Sequence, residues 1–293
     1  MHRWILASRP RTLPAAAAPV LVGVAVAQAV GGMRWGPAVA ALLGALLIQV
    51  GTNLANDVFD HRRGADTPDR LGPLRVTQAG LLSPRTVLAG MWTAFALASL
   101  AGGYLISVAG WPVAAIGAAS IAAGIAYTGG PYPLAYHGLA EPFVFLFFGV
   151  AAVVGTTYVQ TLSAPPLAWV AAVPMGLLAT AILAVNNIRD LATDQRAGKG
   201  TLAVRLGPVG ARVEYAALLA GAFLAPPVMV WGGFSSPWTL LPLLAAPWGV
   251  FLIIRVFRLQ GRPLNRVLTA TGQLELLFAV LLAAGLLRGS PPP

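Results

Sequence analysis

Six of the nine acidic residues in this 293-residue chain are concentrated in two short segments. The first segment contains Asp57, Asp60, Asp66 and Asp69, and the second contains Asp190 and Asp194. Side chains three or four residues apart share one face of a helix. Asn53 and Asn56 therefore extend the face of the first cluster, and Asn186 extends that of the second. Each segment, if helical, presents a polar stripe rich in oxygen ligands.

Several carboxylates held close together need cations to remain ionised. Magnesium meets this need because it prefers hard oxygen ligands and takes its remaining ligands from water and phosphates. Basic residues accompany both clusters: Arg62, Arg63, Arg70 and Arg75 follow the first, and Arg189, Arg196, Lys199 and Arg205 surround the second. Guanidinium groups bind phosphate oxygens in bidentate geometry. The two clusters therefore predict a site for magnesium and a diphosphate.

Two alternative roles remain open for these charged residues. Arginine and lysine near membrane helices also act as topology signals, which accounts for Arg63, Arg85, Arg212 and the basic residues of 255–266 without any chemistry. Acidic residues can also form the pathway of a divalent-cation transporter, although such sites usually lie near the membrane midplane. Topology alone requires no aspartates, so the acidic clusters favour a functional site.

The composition indicates an integral membrane protein. Hydrophobic residues make up 57% of the chain and charged residues only 10%, whereas soluble proteins contain about 25% charged residues. The absence of cysteine excludes disulfides and thiolate chemistry. The net charge of +10 does not indicate nucleic-acid binding, because the basic residues lie in short segments between long apolar runs. No cleavable signal peptide is expected, since the first apolar run leads directly into a full-length span.

The apolar runs predict one all-α domain over residues 1–293, a bundle of about nine transmembrane helices around a central cavity. The predicted spans are 12–30, 36–58, 85–108, 111–128, 139–161, 166–188, 210–232, 237–257 and 267–287. A cytoplasmic N-terminus places 17 of the 19 basic residues on the cytoplasmic side, as the positive-inside rule requires. The polar motifs then belong to two long cytoplasmic loops, near 61–84 and 189–209. We expect a prokaryotic plasma membrane as the location.

Both clusters resemble the aspartate-rich motifs of the UbiA superfamily of intramembrane prenyltransferases. The first motif reads Asn53-Leu-Ala-Asn56-Asp57-Val-Phe-Asp60-His-Arg-Arg-Gly64-Ala-Asp66, and the second reads Asn186-Asn187-Ile-Arg189-Asp190-Leu-Ala-Thr-Asp194-Gln-Arg-Ala-Gly198-Lys199. Three further segments resemble the branch that acts on 1,4-dihydroxy-2-naphthoate: Arg9-Pro-Arg-Thr-Leu-Pro14, Asp69-Arg-Leu-Gly-Pro73 and Tyr127-Thr-Gly-Gly-Pro131. Glycine replaces the third aspartate of an even Asp-x-x-x-Asp spacing at positions 64 and 198, which is also similar to that branch.

The resemblance implies magnesium-dependent transfer of a polyprenyl chain from polyprenyl diphosphate to 1,4-dihydroxy-2-naphthoate, with decarboxylation to demethylmenaquinone. The implied metal ligands are Asn56, Asp57, Asp60, Asp66, Asp190 and Asp194, around two magnesium ions. The implied diphosphate contacts are Arg70, Arg75, Arg189, Lys199 and Asn186. Residues expected to support the site or border the aromatic substrate are Asn53, Asn187, Tyr127, Tyr132 and Glu141. Other acceptors of the superfamily (4-hydroxybenzoate, homogentisate or a haem precursor) remain open, as does the isoprenoid length.

Overall fold

The computed structural model describes residues 2–64 and 70–289, which form helices and connections with no strand among them. The α-helices are α1 (His2–Ser8), α2 (Leu13–Ala29), α3 (Trp35–Arg62), α4 (Pro84–Ala109), α5 (Trp111–Ala126), α6 (Ala140–Val144), α7 (Ala152–Thr161), α8 (Pro166–Arg196), α9 (Leu202–Trp231), α10 (Ala246–Arg258) and α11 (Leu264–Arg288). Short 3-10 helices occupy Pro10–Thr12, Leu134–Tyr136 and Pro237–Ala245, and a π-helical segment, Phe145–Ala151, joins α6 to α7. The prediction of an all-α fold is confirmed.

Each of the nine predicted spans coincides with a helical segment. Within the described ranges, eight segments are long and apolar enough to cross a membrane: Arg3–Ala29, Trp35–Arg62, Pro84–Ala109, Ala140–Thr161, Pro166–Arg196, Leu202–Trp231, Pro237–Arg258 and Leu264–Arg288. The fourth predicted span is shorter, because α5 has only 16 residues. At 1.5 Å per residue it reaches about 24 Å, less than the roughly 30 Å of a bilayer's hydrocarbon core.

The second long loop, predicted at 189–209, is a short turn instead. Helix α8 continues past the apolar run, α9 starts early, and only residues 197–201 connect them. The turn contains Gly198 in the left-handed region (φ 69°), where glycine is favoured because it has no Cβ. The predicted loop is too long because the charged residues Arg189, Asp190 and Asp194 do not end α8 but belong to its last turns. Asp190 and Asp194 instead continue the helical spacing of α8.

Three hydrophobic clusters hold the two helices that carry the motifs, two around α8 and one around α3. Helix α8 is central, since its apolar side chains pack with α2, α7 and α11 in one cluster and with α9 and α11 in another. The π-helical segment approaches α8 so closely that a Cβ on Gly149 would lie 2.7 Å from the Cα of Gly176. Helix α3 packs against α4, where a Cβ on Gly51 would lie 2.4 Å from Phe95 Cε1. The aspartate motifs therefore end two firmly packed helices.

Candidate active site

A cavity of about 1400 Å³ lies among the helices, larger than the roughly 300–1,000 Å³ of most ligand pockets. Its polar end is lined by Asn56, Asp60, Arg70, Arg75, Asn186, Arg189, Asp190, Asp194 and Lys199. Its apolar walls include side chains of α4 and α5, such as Ile106, Val113 and Ile116. The cavity can therefore hold a charged group and a long apolar chain at the same time.

This cavity collects most of the residues predicted from the sequence. Those that line it are Asn53, Asn56, Asp60, Arg70, Arg75, Tyr127, Asn186, Asn187, Arg189, Asp190, Asp194 and Lys199. Asp57, Tyr132 and Glu141 are not among the lining residues. Asp66, a further predicted metal ligand, lies outside the described residues.

Asp60 is the buried carboxylate of the first motif, near the end of α3. Arg75 Nη2 lies 2.6 Å from its Oδ2 atom, and the Tyr136 hydroxyl donates to Oδ1 at 2.9 Å. One turn earlier, Asn56 Oδ1 accepts a hydrogen bond of 2.9 Å from Thr128. The loop that carries Arg75 therefore holds the Asp60 carboxylate against the cavity.

Asp57 has a different role from Asp60. Its carboxylate is 1% exposed and accepts hydrogen bonds from the backbone N–H groups of Val76, at 3.1 Å, and Thr77, at 3.0 Å. Both oxygens thus attach the following loop to α3. The structure does not bring Asp57 to the predicted metal site. Helical spacing could not reveal this, because the loop that occupies its carboxylate is distant in sequence.

Arg189 is the central residue of the second motif. It forms a bidentate ion pair with Asp190, with Nε 2.8 Å from Oδ1 and Nη2 2.5 Å from Oδ2. The same guanidinium donates to the side-chain oxygens of Asn186 and Asn265, each at 2.8 Å. Asn265 of α11 donates in turn to the backbone oxygen of Leu71 at 2.8 Å. Arg189 therefore joins α8, α11 and the loop after α3, and it orients Asp190 at the cavity.

Asp194 lies one helical turn after Asp190 and brings the two motifs into one site. Lys199 Nζ lies 3.6 Å from its Oδ1 atom. Asp194 and Asp190 of α8 and Asp60 of α3 line the same cavity. Carboxylates from α3 and α8 therefore share one region, as the two polar stripes predicted.

The oxygen atoms at this polar end fit magnesium chemically. Asp60, Asp190 and Asp194 offer hard carboxylate oxygens, and Asn56 and Asn186 offer amide oxygens. In the part of the chain that the structure describes, no group of three His, Asp or Glu side chains is close enough to hold an ion by itself. Magnesium commonly completes its coordination with water and substrate phosphates. The donor set therefore suits an ion that is shared with a bound diphosphate.

Tyr136 is a site residue that the sequence interpretation missed. Besides donating to Asp60, its ring lies 4.6 Å from Lys199 Nζ, and Arg63 lies over the same ring at 5.5 Å. Cations over an aromatic face are attracted by its quadrupole. Tyr136 therefore bridges the first motif and the turn after the second. The only sequence signal was its position shortly after the Tyr127-Thr-Gly-Gly-Pro131 segment.

Replacing Tyr136 with phenylalanine is expected to lower kcat/KM about 10- to 100-fold in the reaction that the sequence resemblance implies, since a hydrogen bond to a charged group is lost. The aromatic ring and its contact with Lys199 remain in this variant. Steady-state assays of detergent-purified protein measure the effect. Tyr132→Phe is the matched control, because Tyr132 is 57% exposed and stacks on His137 at 3.6 Å, outside the cavity. Unchanged kcat/KM in Tyr136→Phe would contradict the proposed bridge.

The supporting residues differ in what they touch. Asn187 lines the cavity and donates to Glu141 Oε1 at 2.9 Å. Glu141 does not line the cavity itself, and it holds the Asn187 side chain in place. Asn53 donates to the Ser8 backbone oxygen at 3.0 Å and to Thr12 Oγ1 at 2.9 Å, which ties the N-terminal segment to α3. Tyr127 lines the cavity itself.

Arg9 is a second site residue that the sequence motifs do not indicate, because it stands in the Arg9-Pro-Arg-Thr-Leu-Pro14 segment, outside both aspartate clusters. It lines the cavity and adopts a left-handed backbone conformation (φ 51°, ψ 68°). Such strain in a non-glycine residue is concentrated at functional sites.

The chain is similar in sequence to proteins named as prenyltransferases. The model of the UbiA prenyltransferase family matches residues 16–270. A protein named 1,4-dihydroxy-2-naphthoate octaprenyltransferase, from Mycobacterium tuberculosis, is 40% identical over 289 residues, which cover 98% of this chain and 97% of that protein. The protein of the same name from Escherichia coli is 40% identical over 270 residues, 90% of this chain and 86% of that protein.

Solved structures show the same fold. A UbiA homolog from Aeropyrum pernix K1, solved in its apo form, superposes with a TM-score of 0.72 and 17% identity, covering 94% of this chain and 97% of that one. A UbiA homolog from Archaeoglobus fulgidus, bound to GPP and Mg2+, gives a TM-score of 0.69 at 17% identity, covering 97% and 99%.

Proposed function

We infer the function from one established premise: this chain belongs to the UbiA prenyltransferase family. It is a multi-pass integral membrane enzyme that transfers prenyl groups. We propose that it transfers a polyprenyl chain from polyprenyl diphosphate to 1,4-dihydroxy-2-naphthoate, with decarboxylation. The observation that carries this proposal is that Asp60, Asp190 and Asp194 line one large cavity whose walls are mostly apolar.

The diphosphate binds at this polar end. Asp60, Asp190 and Asp194, with the amide oxygens of Asn56 and Asn186, would hold magnesium there, in accord with the Mg2+ bound to the Archaeoglobus homolog. Magnesium would neutralise charge on the departing diphosphate. The basic residues that complete the binding site are Arg70, Arg75, Arg189 and Lys199. They stabilise negative charge that develops as the carbon–oxygen bond breaks.

The prenyl chain occupies the apolar part of the cavity. Its walls exclude water, which protects the allylic cation from hydrolysis before the acceptor ring attacks it. Hydrophobic side chains also face outward along the spanning helices, for example Leu100, Leu224 and Val280. A chain supplied from the surrounding lipid is consistent with this surface.

The aromatic acceptor is assigned from two lines of support. Relatives with 40% identity over nearly the full length carry the name of the naphthoate enzyme. The segments that resemble the naphthoate branch contribute Arg9, Arg70 and Tyr127 to the cavity wall. We also propose that the N-terminus and the polar end of the cavity face the cytoplasm of a prokaryote, as the distribution of basic residues predicts.

A substrate panel tests this function. Purified protein, magnesium and a polyprenyl diphosphate would be combined separately with 1,4-dihydroxy-2-naphthoate, 4-hydroxybenzoate and homogentisate, and the products analysed by mass spectrometry. We expect a prenylated, decarboxylated product from the naphthoate only, and none after chelation of magnesium with EDTA. A product from 4-hydroxybenzoate or homogentisate in place of the naphthoate would assign the protein to another branch of the family.

A further inference from the structure

The apolar part of the cavity extends far from the aspartates along α3. Residues of this helix line the cavity from Asp60 back to Gly44 and Ala41. Gly44 precedes Asp60 by 16 residues, which at 1.5 Å per residue is about 24 Å along the helix axis. The hydrocarbon core of a bilayer is roughly 30 Å thick. The cavity therefore crosses most of the apolar layer of the membrane.

A buried cluster of apolar side chains lies at the far end of the cavity. Its members are Ala40 of α3, Leu105 and Ala109 of α4, and Val159 of α7. Leu105 and Val159 also line the cavity. The charged lining residues among those that the structure describes all belong to the opposite, polar end. Only the hydrocarbon part of a prenyl donor suits this far end, because charge is costly to bury without partners.

Gly44 and Gly102 line the cavity at the same depth, next to this cluster. Helix α4 packs against α3 in the opposite direction, and a Cβ on Gly51 of α3 would collide with the ring of Phe95 in α4. Gly44 lies seven residues before Gly51, and Gly102 lies seven residues after Phe95. Seven residues make about two helical turns, so the two glycines repeat the pairing of that contact two turns further from the aspartates.

Gly117 of α5 lies at this depth as well. Helix α5 runs alongside α3, since Thr128 donates to Asn56 and a Cβ on Gly124 would collide with the Thr52 hydroxyl. Gly117 lies seven residues before Gly124, so it lies at the level of the α3 residue seven before Thr52. That residue is the one next to the glycine of α3. Gly117 also lines the cavity.

These three residues, Gly44, Gly102 and Gly117, form a glycine layer near the far end of the cavity. A Cβ added to any of them would meet no heavy atom within 4 Å in the described part of the chain outside its own helix. Close helix packing therefore does not require glycine here, in contrast to Gly51 and Gly124. Glycine in a helix interior lowers stability relative to alanine. What the missing side chains provide is open space inside the cavity.

The depth of the glycine layer can be compared with the length of a prenyl chain. Three backbone bonds of an extended peptide span about 3.5 Å, so the four chain bonds of one isoprene unit span about 4.5 Å. The two units of a geranyl chain extend about 9 Å and end well before the layer. The four units of a geranylgeranyl chain extend about 18 Å and, together with the diphosphate, reach it.

We propose that the glycine layer selects prenyl donors with at least about four isoprene units, because it keeps open the part of the cavity that the far end of such a chain occupies. This inference rests on the proposed prenyl-transfer function and deepens it, since it assigns a donor length and the residues that set it. A longer chain buries more apolar surface along the cavity, which favours it over a shorter one.

The test compares geranyl and geranylgeranyl diphosphate as donors, with magnesium and 1,4-dihydroxy-2-naphthoate as the acceptor. Detergent-purified wild type should have the higher kcat/KM with geranylgeranyl diphosphate. Gly102→Leu should lower that value about 10- to 100-fold, because a hydrophobic pocket distinguishes even single methylene groups by about 10- to 200-fold. Its kcat/KM with geranyl diphosphate should change less than about 3-fold, since effects at distant sites are independent. Retained turnover of the short donor also shows that the variant is folded.

Gly103→Leu is the matched control on the same helix. Gly103 is exposed, does not line the cavity, and also has no heavy atom of the described residues within 4 Å of an added Cβ, its own helix excepted. This variant should keep the wild-type ratio of the two kcat/KM values. Gly117→Leu, on a different helix, should lower the ratio as Gly102→Leu does.

Three results would overturn the role of the glycine layer. They are an unchanged ratio in Gly102→Leu and Gly117→Leu, an equal loss with both donors in both variants, and a ratio lowered as strongly by Gly103→Leu. A wild type that prenylates the naphthoate with neither donor would instead reject the proposed function. The failure of the inference and the failure of the proposed function are therefore distinguishable.

Discussion

Asp60→Asn is expected to remove nearly all prenyl transfer while the protein still inserts and folds. The substitution keeps the shape of the side chain and its contact with Tyr136 but removes the charge that pairs with Arg75 and that would hold magnesium. Loss of one preorganised electrostatic contact at a reacting centre costs about 10²- to 10³-fold in kcat. Turnover of radiolabelled prenyl diphosphate by purified protein measures the loss, and the magnesium concentration for half-maximal rate should rise.

The control for this variant is Glu214→Gln. Glu214 is an acid of α9 that does not line the cavity, so its neutralisation should leave turnover and magnesium dependence close to those of the wild type. Asp190→Asn, in the second motif, should behave as Asp60→Asn does. Near-normal turnover in Asp60→Asn would rule out the metal assignment for the first motif.

Asp57→Ala is expected to act on stability, although Asp57 stands only three residues before Asp60. Two buried backbone N–H groups, of Val76 and Thr77, lose their acceptor in this variant. Hydrogen bonds to charged groups contribute about 1.5–3 kcal/mol each, so the free energy of unfolding should fall by about 3–6 kcal/mol. Thermal unfolding in detergent measures this change, and limited proteolysis should show faster cleavage within residues 70–83.

Asp57→Asn separates the structural role of Asp57 from a metal-binding one. The amide retains one acceptor oxygen, so about half of the stability loss is expected. The magnesium concentration for half-maximal rate should stay at the wild-type value, in contrast to Asp60→Asn. A raised magnesium requirement with unchanged thermal stability would restore Asp57 as a metal ligand.

The positions of the helices and the two motifs were predictable from local sequence. Each of the nine spans predicted from hydropathy coincides with a helical segment of the described residues, and the three- and four-residue spacing placed Asp60 with Asn56 and Asp190 with Asp194. The length of α8 was underestimated because its last turns are polar, yet those turns remain helical. Polarity marks where a helix leaves the apolar layer, and this need not be where the helix ends.

The residues that were missed depend on contacts between distant parts of the chain. Tyr136 meets Asp60 across 76 residues, and Asn53 holds the segment around Arg9 from 41 and 45 residues away. Neither Tyr136 nor Arg9 belongs to a periodic polar pattern in the sequence. Only folding brings them to the charged end of the site.

The sequence by itself determined the membrane-spanning architecture and the presence of two oxygen-rich motifs, because hydropathy and helical periodicity are local properties. It could not assign separate roles to neighbouring acids. The tertiary structure decided that Asp57 anchors a loop and that Asp60 lies at the cavity, because each role depends on which distant group approaches the carboxylate. It also decided that Arg9 lines the cavity, where Thr12 binds its carbonyl oxygen and Asn53 and Gln49 of α3 hold Thr12 in place.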